Sequence, residues 1–397
     1  MFQAVHSDRS GRVFVSADYG ATGLDGVAAT ALERGVPLPV GAELVPLVDR
    51  AALGIDRRGL PRSLGPARWA LAALLPRGFV GTHLPAIEAS PGAAPLEPLP
   101  YAAVAADARG ELVVAAVSVG DGAAVPADDL AAAITRRLRA EPSNRLLRQL
   151  ARCAREYRCP LARDAFLGRG DCALPLGAPA NDEAGPLVAL RRRDERAPVD
   201  PTALRVGAAD AAAVAIAHLS AGGTSVSFGH ACDGEPLALV RDVIDATLRI
   251  KRDAPAGTIV LRTSGASAAA LGRASDAGID RVAIRIASAD GTTYERIHRP
   301  VGYRWTDVRA TLREAAARRL AITLELLVLA GLTDRETEIQ ALVALLGELP
   351  AGTELRLAEL AADPYGVLAA VGGATTIGMG TVIERVRADA AHVRLAA

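Results

Sequence analysis

The residues with the clearest chemical potential lie in one short stretch that follows a predicted strand at 224–228. His230, Cys232, Asp233 and Glu235 all fall within it. Two carboxylates this close can serve as general acid and general base, and His230 can serve as a base or bind a ligand. Each residue also has a structural explanation: a solvated loop histidine, a buried thiol, and acids favoured by the dipole at a helix start.

The cysteines do not have the spacing of a metal site or of a disulfide scaffold. The chain has four of them, at Cys153, Cys159, Cys172 and Cys232. Three lie before or on the first predicted strand of the C-terminal region, and Cys232 with His230 supplies at most two ligands. So few cysteines in a long chain indicate a reducing compartment, so we expect free thiols and no metal.

The elements that position this stretch alternate between β-prone runs and amphipathic helices. We predict strands at 173–176, 224–228, 258–261, 282–286, 322–329 and 354–357. Helices follow, among them one that begins at a Ser267 cap, one at a Thr306 cap, one at a capping box over 333–336, and a closing helix over 381–387. This alternation is typical of parallel strands joined by right-handed crossovers, with the chemistry at the C-terminal ends of the strands. The fold class predicted is α/β, with a partial (β/α)6 barrel over residues 172–397.

The preceding residues have a different pattern. Residues 1–125 are rich in glycine and proline and break into short strand-like pieces, so we predict a β-rich N-terminal domain. Residues 36–39 are expected at a turn or sheet edge because proline cannot donate to a sheet ladder. The runs at 101–106 and 111–119 predict a hairpin. Residues 126–171 are predicted to form a helical connector.

The residues around Gly234 resemble a motif of a known protein family. A strand, then Asp233-Gly234-Glu235-Pro236, then a helix resembles the Gly-Glu-Pro loop of radical S-adenosylmethionine (SAM) enzymes, whose backbone holds the amino group of SAM. Further motifs follow in family order, at 262–265, 277–280, 288–289, 299–303, 330–334 and 363–364. The segments 153–160 and 166–169 look like those that precede the cluster loop in one bacterial group. The resemblance implies a barrel of radical SAM type and a vestigial SAM site formed by Gly234, Glu235, Pro236, Thr263 and Ser288.

The feature that defines this family is absent. Its Cys-x-x-x-Cys-x-x-Cys loop supplies three thiolates to a four-iron cluster, but the corresponding positions here are Ala180, Ala184 and Leu187. Positions that are often asparagine in the family are Arg262, Ala287 and Ala361. The resemblance therefore implies a relative that has lost its iron–sulfur cluster, with no cofactor expected and SAM binding left as an open alternative.

Composition excludes several classes of partner. The 45 basic and 45 acidic residues cancel, so there is no global field to attract nucleic acid or anionic lipid. Aromatic residues make up only 3%, which predicts an aliphatic core. No leader-like start and no apolar run of about 18 residues is evident, so we expect a cytoplasmic protein. The run 191–196 is expected to be a solvated loop, and His298, beside Arg296 and Arg299, part of a surface basic cluster.

Three hypotheses for the function follow. The first is a catalytically inactive radical SAM relative that acts by binding, as a scaffold for an active paralogue, a peptide or another protein. The second is an enzyme of another class that uses His230, Asp233 and Glu235 as acid, base or ligand groups. The third is cluster-free binding of SAM by Gly234 and Glu235.

Overall fold

The computed structural model of the protein describes residues 2–25, 28–76, 78–94, 96, 99–119, 130–157, 159–183, 204–230, 232–359, 364–372 and 374–396. The predicted boundary between residues 125 and 126, the charge run 191–196, and positions Ala184, Leu187 and Ala361 lie outside this range.

The N-terminal region is built from short antiparallel strands, as its glycine and proline content predicts. They are β1 (Gln3–Ser7), β2 (Val13–Gly20), β3 (Thr22–Asp25), β4 (Ala28–Ala31), β5 (Val36–Pro37), β6 (Glu43–Ile55), β7 (Pro61–Ser63), β8 (Trp69–Leu74), β9 (Phe79–Gly81), β10 (Leu84–Pro85), β11 (Ile87–Ala89), β12 (Tyr101–Ala106), β13 (Leu112–Val114) and β14 (Ala116–Ser118). The main sheet has the order β11-β6-β2-β1-β8-β12-β13-β5, with β7 paired to β6. The predicted hairpin is confirmed by the pairing of β12 with β13, and β5 lies at the sheet edge.

Helices follow the N-terminal sheets along the chain. They are α1 (Leu130–Ala140), α2 (Arg145–Glu156) and α3 (Pro160–Leu167). Asn144 accepts the N–H of Leu147 at 3.1 Å and so caps α2. Buried residues of all three helices belong to the same hydrophobic cluster as the strands that come next, so these helices pack onto the C-terminal region.

The C-terminal region is a curled, wholly parallel sheet, that is, a half-barrel. Its strands run in sequence order: β15 (Asp171–Ala173), β16 (Ser225–Phe228), β17 (Thr258–Thr263), β18 (Arg281–Ile286), β19 (Ala321–Val328), β20 (Glu354–Glu359) and β21 (Arg394–Ala396). The sequence predicts six strands, and the structure adds β21, which pairs with β20. The first strand also lies slightly earlier than predicted, because residues 174–176 leave the ladder and enter a loop.

Helices connect these strands. They are α4 (Ala208–Ser220), α5 (Val240–Asp253), α6 (Ala268–Asp276), α7 (Gly291–His298), α8 (Trp305–Ala317), α9 (Glu336–Gly347), α10 (Pro364–Val371) and α11 (Met379–Asp389). The Ser267 cap of α6 is confirmed. The capping box predicted at 333–336 is wrong, because the Thr333 hydroxyl donates to Leu327 and accepts from Leu329. Helix α9 therefore begins at Glu336.

Alternate residues of the parallel strands face two different environments. Apolar side chains such as Ile259, Leu261 and Ile284 pack with the helices in one aliphatic core. The residues between them, such as Arg262 and Arg285, line a cavity on the concave face. Period-two alternation of this kind places apolar and polar side chains on opposite faces of a sheet.

The N-terminal sheets pack against the half-barrel. Leu84 shares a hydrophobic cluster with Leu329, Leu332 and Leu368, and the Tyr365 hydroxyl donates to the carbonyl of residue 85 at 2.9 Å. Within the described ranges, no helix combines the length and hydrophobicity needed to cross a membrane.

Candidate functional site

Residues 174–183, here called the mouth loop, leave β15 and lie at the C-terminal ends of the neighbouring strands. Asp233, which follows β16, is only 2% exposed and accepts the backbone N–H groups of Leu176 at 2.8 Å, Gly177 at 2.7 Å and Ala178 at 3.2 Å. Burial raises the pKa of Asp233 to about 7, although the three donors favour the ionised form. The side chain of Asp233 is therefore committed to holding the start of the mouth loop.

Glu235 is committed in the same way. One carboxylate oxygen accepts the Leu237 N–H at 2.9 Å and the Thr263 hydroxyl at 2.8 Å. The other accepts the Ser264 N–H at 2.7 Å and the Ser264 hydroxyl at 2.8 Å. The Glu235 N–H donates to the Pro179 carbonyl of the mouth loop at 3.0 Å. These four donors saturate the carboxylate, and burial raises its pKa.

The backbone of the mouth loop lies directly against Gly234. Gly234 has a φ of +83°, and a Cβ built there would lie 2.5 Å from the Ala178 carbonyl oxygen, 2.7 Å from the Pro179 carbonyl carbon and 2.8 Å from the Ala180 nitrogen. Pro236 opens the short 3₁₀ turn that leads into α5. The side of Gly234 on which a Cβ would stand is therefore filled by the protein's own chain.

A buried aspartate–histidine pair anchors the far end of the mouth loop. The carboxylate of Asp182 lies 3.1 Å from Nδ1 of His298 and accepts the Tyr303 hydroxyl at 3.0 Å. Nε2 of His298 accepts the Ala287 N–H at 2.9 Å, and the imidazole stacks on Tyr294 with ring centroids 3.9 Å apart. The predicted surface basic cluster is thus wrong for His298, which is fully buried. Burial lowers its pKa, which favours the neutral ring.

The polar side chains of the predicted vestigial SAM site have hydrogen-bond partners within the protein. Thr263 and Glu235 are joined by a hydrogen bond. Ser288, after β18, instead donates to the carboxylate of Glu338 at 2.5 Å and accepts the Asp290 N–H at 2.9 Å. Burial raises the pKa of Glu338. The hydroxyl of Ser288 is therefore already engaged by Glu338 and Asp290.

His230 faces a different space from its two acidic neighbours. Its Nε2 lies 2.5 Å from the Ser227 hydroxyl, which donates to Asp171 at 2.6 Å. Burial and Arg262 lower the pKa of His230, although Asp171 and Glu325 oppose this shift. Burial opposes ionisation of Asp171, but His230, Ser227 and Arg262 bring its pKa down to about 2. His230 lines the concave cavity while Asp233 and Glu235 hold the mouth loop, so the three side chains do not converge.

Glu235, Gly234 and the cysteines do not fit SAM or an iron–sulfur cluster bound in the way that the radical SAM resemblance implies. The carboxylate of Glu235 has no lone pair left for an amino group, and Gly234 is covered by the mouth loop. Cys153 and Cys172 are buried, Cys159 and Cys232 are half-buried, and all four are free thiols. Across the described residues, no three histidine, cysteine, aspartate or glutamate side chains are grouped so that they could hold a metal ion.

The concave face of the half-barrel holds a cavity of about 830 Å³, here called the lumen cavity. The N-terminal region and α3 contribute apolar residues, and the parallel strands with the residues next to them contribute charged, hydroxyl-bearing and apolar ones. The described lining residues are Leu75, Pro76, Phe79, Leu161, Asp171, Thr224, Ser225, His230, Thr258, Val260, Arg262, Arg281, Ala283, Arg285, Thr323, Glu325, Glu354, Arg356, Leu357 and Ala358. A volume of this size is typical of a small-molecule site.

Glu325 is the electrostatic centre of the lumen cavity. It lies in register with Arg285 on β18 and with Arg356 on β20, so the three charges alternate across adjacent strands. Arg262 bonds directly to Glu325, and carboxylate oxygens of Glu325 lie 3.6 Å from Arg285 and 4.0 Å from Arg356. Burial opposes ionisation of Glu325, but these three guanidinium groups lower its pKa to about 2.

The sequence interpretation missed the lumen cavity, although a signal was present. Arg262, Arg281, Arg285, Glu325 and Arg356 each follow a strand residue whose side chain is buried, or precede one. That period-two pattern distinguishes a sheet with one polar face from the near-continuous apolar runs of a parallel sheet covered on both sides. The loops after the strands, in contrast, hold few polar residues.

Comparisons with known proteins locate similar structures. No family model matches the chain, and no curated protein matches it. Similar solved structures include methylornithine synthase (PylB), with a TM-score of 0.40 and 12% identity over 65% of this chain and 72% of that one. The FeFe-hydrogenase maturase HydG from Carboxydothermus hydrogenoformans has a TM-score of 0.36 and 13% identity, over 59% of this chain and 63% of that one. A radical SAM methyltransferase from Sphaerobacter thermophilus has a TM-score of 0.34 and 16% identity, over 48% of this chain and 58% of that one.

These structures are radical SAM enzymes. The chain spans less than two thirds of the length of the maturase and of the methyltransferase. All three TM-scores are below 0.5.

Proposed function

We propose that the protein is a catalytically inactive radical SAM relative that acts by binding, and that its ligand occupies the lumen cavity. The observation that carries this proposal is the contrast between the mouth loop and the lumen cavity. At the mouth loop, the carboxylates of Asp233 and Glu235 accept hydrogen bonds from the protein's own backbone. In the lumen cavity, charged side chains surround an open volume of about 830 Å³.

The mouth contacts support the loss of cofactor chemistry. Asp233 binds three amides of the mouth loop, and Glu235 binds four donors. A buried polar group that already has its partners gains nothing from a ligand unless those bonds break, which costs roughly 1–3 kcal/mol for each group left unpaired. SAM binding at Gly234 would therefore have to displace the mouth loop and break several such bonds at once.

An enzyme of another class at the mouth is less well supported. Its proposed groups were His230, Asp233 and Glu235, and acid–base catalysis needs them within hydrogen-bonding reach of one substrate. The side chain of His230 bonds to Ser227, whereas those of Asp233 and Glu235 bond to the mouth loop and to residues 237, 263 and 264.

Calorimetry with SAM tests the proposal against cluster-free SAM binding. The wild type, Glu235→Ala and the exposed control Glu348→Ala are titrated with SAM under identical conditions. We expect no saturable heat in any of the three. Saturable heat in the wild type and in Glu348→Ala that is lost in Glu235→Ala would contradict the proposal and establish a SAM site at Glu235.

A further inference from the structure

The lumen cavity carries more arginine than its own carboxylates can neutralise. Arg262, Arg281, Arg285 and Arg356 line it, against the carboxylates of Asp171, Glu325 and Glu354. The remaining ionisable group, His230, adds no negative charge in either of its protonation states. The cavity therefore has an excess of positive charge although the whole chain has a net charge of zero.

Two glutamates are shared among several arginines. Glu325 faces Arg262, Arg285 and Arg356. Glu354 contacts Arg356 at 2.6 Å, lies 3.7 Å from Arg281 and also pairs with Arg394, outside the cavity. Each carboxylate therefore satisfies only part of the donor capacity of the guanidinium groups around it, because every guanidinium carries five N–H donors.

Of the four arginines that line the lumen cavity, Arg285 has the most N–H donors without a hydrogen-bond partner among the described residues. Its guanidinium group makes no hydrogen bond to any residue in the described part of the chain, and the nearest carboxylate oxygen paired with it, on Glu325, is 3.6 Å away. Its side chain is only 17% exposed. The buried Nε of Arg262 also has no hydrogen-bond partner among the described residues. Guanidinium groups in this situation favour a carboxylate or phosphate, which accepts two parallel N–H bonds.

The part of the lumen cavity that is lined by the N-terminal region and α3 is apolar. Leu75, Pro76 and Phe79 from the N-terminal region and Leu161 from α3 line it. A bare inorganic anion would leave this apolar part in contact with water only, whereas an organic body would bury it. The arginines and the apolar part together suit a molecule with an oxyanion at one end and an apolar body at the other.

We infer that the lumen cavity binds a small organic anion, with its carboxylate or phosphate group held by Arg285 and its neighbours and its apolar part held against Phe79. This inference rests on the proposed function, because it names the ligand class of the same site. It goes further in assigning Arg285 as the residue that selects for negative charge.

Matched aromatic probes test the ligand class by calorimetry. Phenylacetate and phenyl phosphate distinguish a carboxylate from a phosphate, and phenethylamine presents a similar apolar body with a positive charge. We expect saturable heat with at least one of the two anions and none with the cation. Arg285→Gln should weaken anion binding at least about tenfold, which corresponds to roughly 1.4 kcal/mol.

The control is Arg249→Gln, on the outer helix α5, where Arg249 pairs with Asp245 at 3.1 Å. It should bind the anion as the wild type does. If Arg285→Gln does not fold, Arg281→Gln, whose side chain is 32% exposed, carries the same expectation of weaker binding.

Three results would overturn the inference: no heat with either anion, preferential binding of phenethylamine, or equal anion affinity in the wild type and the arginine variants. Binding of phenethylamine would leave a ligand site in the lumen cavity standing while removing the anion class. The absence of cofactor binding is decided separately, by the SAM titration.

Discussion

The closed mouth depends on Asp233, so removing this carboxylate should release the mouth loop. Asp233→Ala leaves the N–H groups of Leu176, Gly177 and Ala178 without an acceptor. An unpaired buried donor costs roughly 1–3 kcal/mol, and movement of the loop toward water recovers part of that cost. We therefore expect the free energy of unfolding to fall by about 3 kcal/mol.

Equilibrium unfolding in urea at pH 6 measures this loss, and hydrogen exchange locates it. The three amides should exchange faster in Asp233→Ala, while amides in the core of β18 should lose protection only as much as global stability falls. Asp245→Ala, an exposed acid with an i,i+4 partner, is the control and should cost less than about 1 kcal/mol. A loss below about 1 kcal/mol in Asp233→Ala, or unchanged protection of the three amides, would refute the reasoning.

Three further predictions concern the mouth loop and the lumen cavity. Gly234→Ala should lower the free energy of unfolding in urea by about 1–3 kcal/mol more than Gly110→Ala does, because both positions have positive φ but only Gly234 is crowded by the mouth loop. Equal losses in the two variants would refute the crowding. Because burial raises the pKa of Asp233 from its unfolded value to about 7, its contribution is complete below about pH 4 and is lost as the pH rises through 7. The stability of the wild type relative to Asp233→Asn should therefore fall by about 4 kcal/mol between pH 4 and pH 8, and a flat difference would contradict this. Glu325→Gln should cost about 3–5 kcal/mol, because it leaves three arginines facing a neutral group, whereas exposed Glu314→Gln should cost less than about 1 kcal/mol.

Local pattern was enough to predict the order of the C-terminal elements. The alternation of β-prone runs and helix stripes predicts strands at 224–228, 258–261, 282–286, 322–329 and 354–357. The structure has them at 225–228, 258–263, 281–286, 321–328 and 354–359. The short strand β21, with only three residues, has no periodicity to detect. The sequence places the start of α9 too early because it predicts Thr333 as an N-cap. The Thr333 hydroxyl instead bonds to residues 327 and 329, and residue type alone does not distinguish the two arrangements.

The environments of His298, Asp233 and Glu235 depend on residues far away in the sequence, so sequence alone could not predict them. His298 stands between charged residues in the sequence, but α7 turns its ring inward onto Tyr294 and toward Asp182. Similarly, Asp233 and Glu235 have the residue types of an acid–base pair, and only the fold shows that their oxygens are occupied by backbone and hydroxyl donors. The alternation of arginine and apolar residues in β18 is the sequence signal for the lumen cavity.

The iron and acid-labile sulfide content of the protein after anaerobic reconstitution tests the central claim most directly. The protein is incubated with iron and sulfide under reducing conditions and desalted, and both elements are then measured per chain. The account predicts that neither is retained in stoichiometric amount and that added SAM is not cleaved. Stoichiometric iron and sulfide would contradict it, because a cluster would then be held by this chain despite the closed mouth.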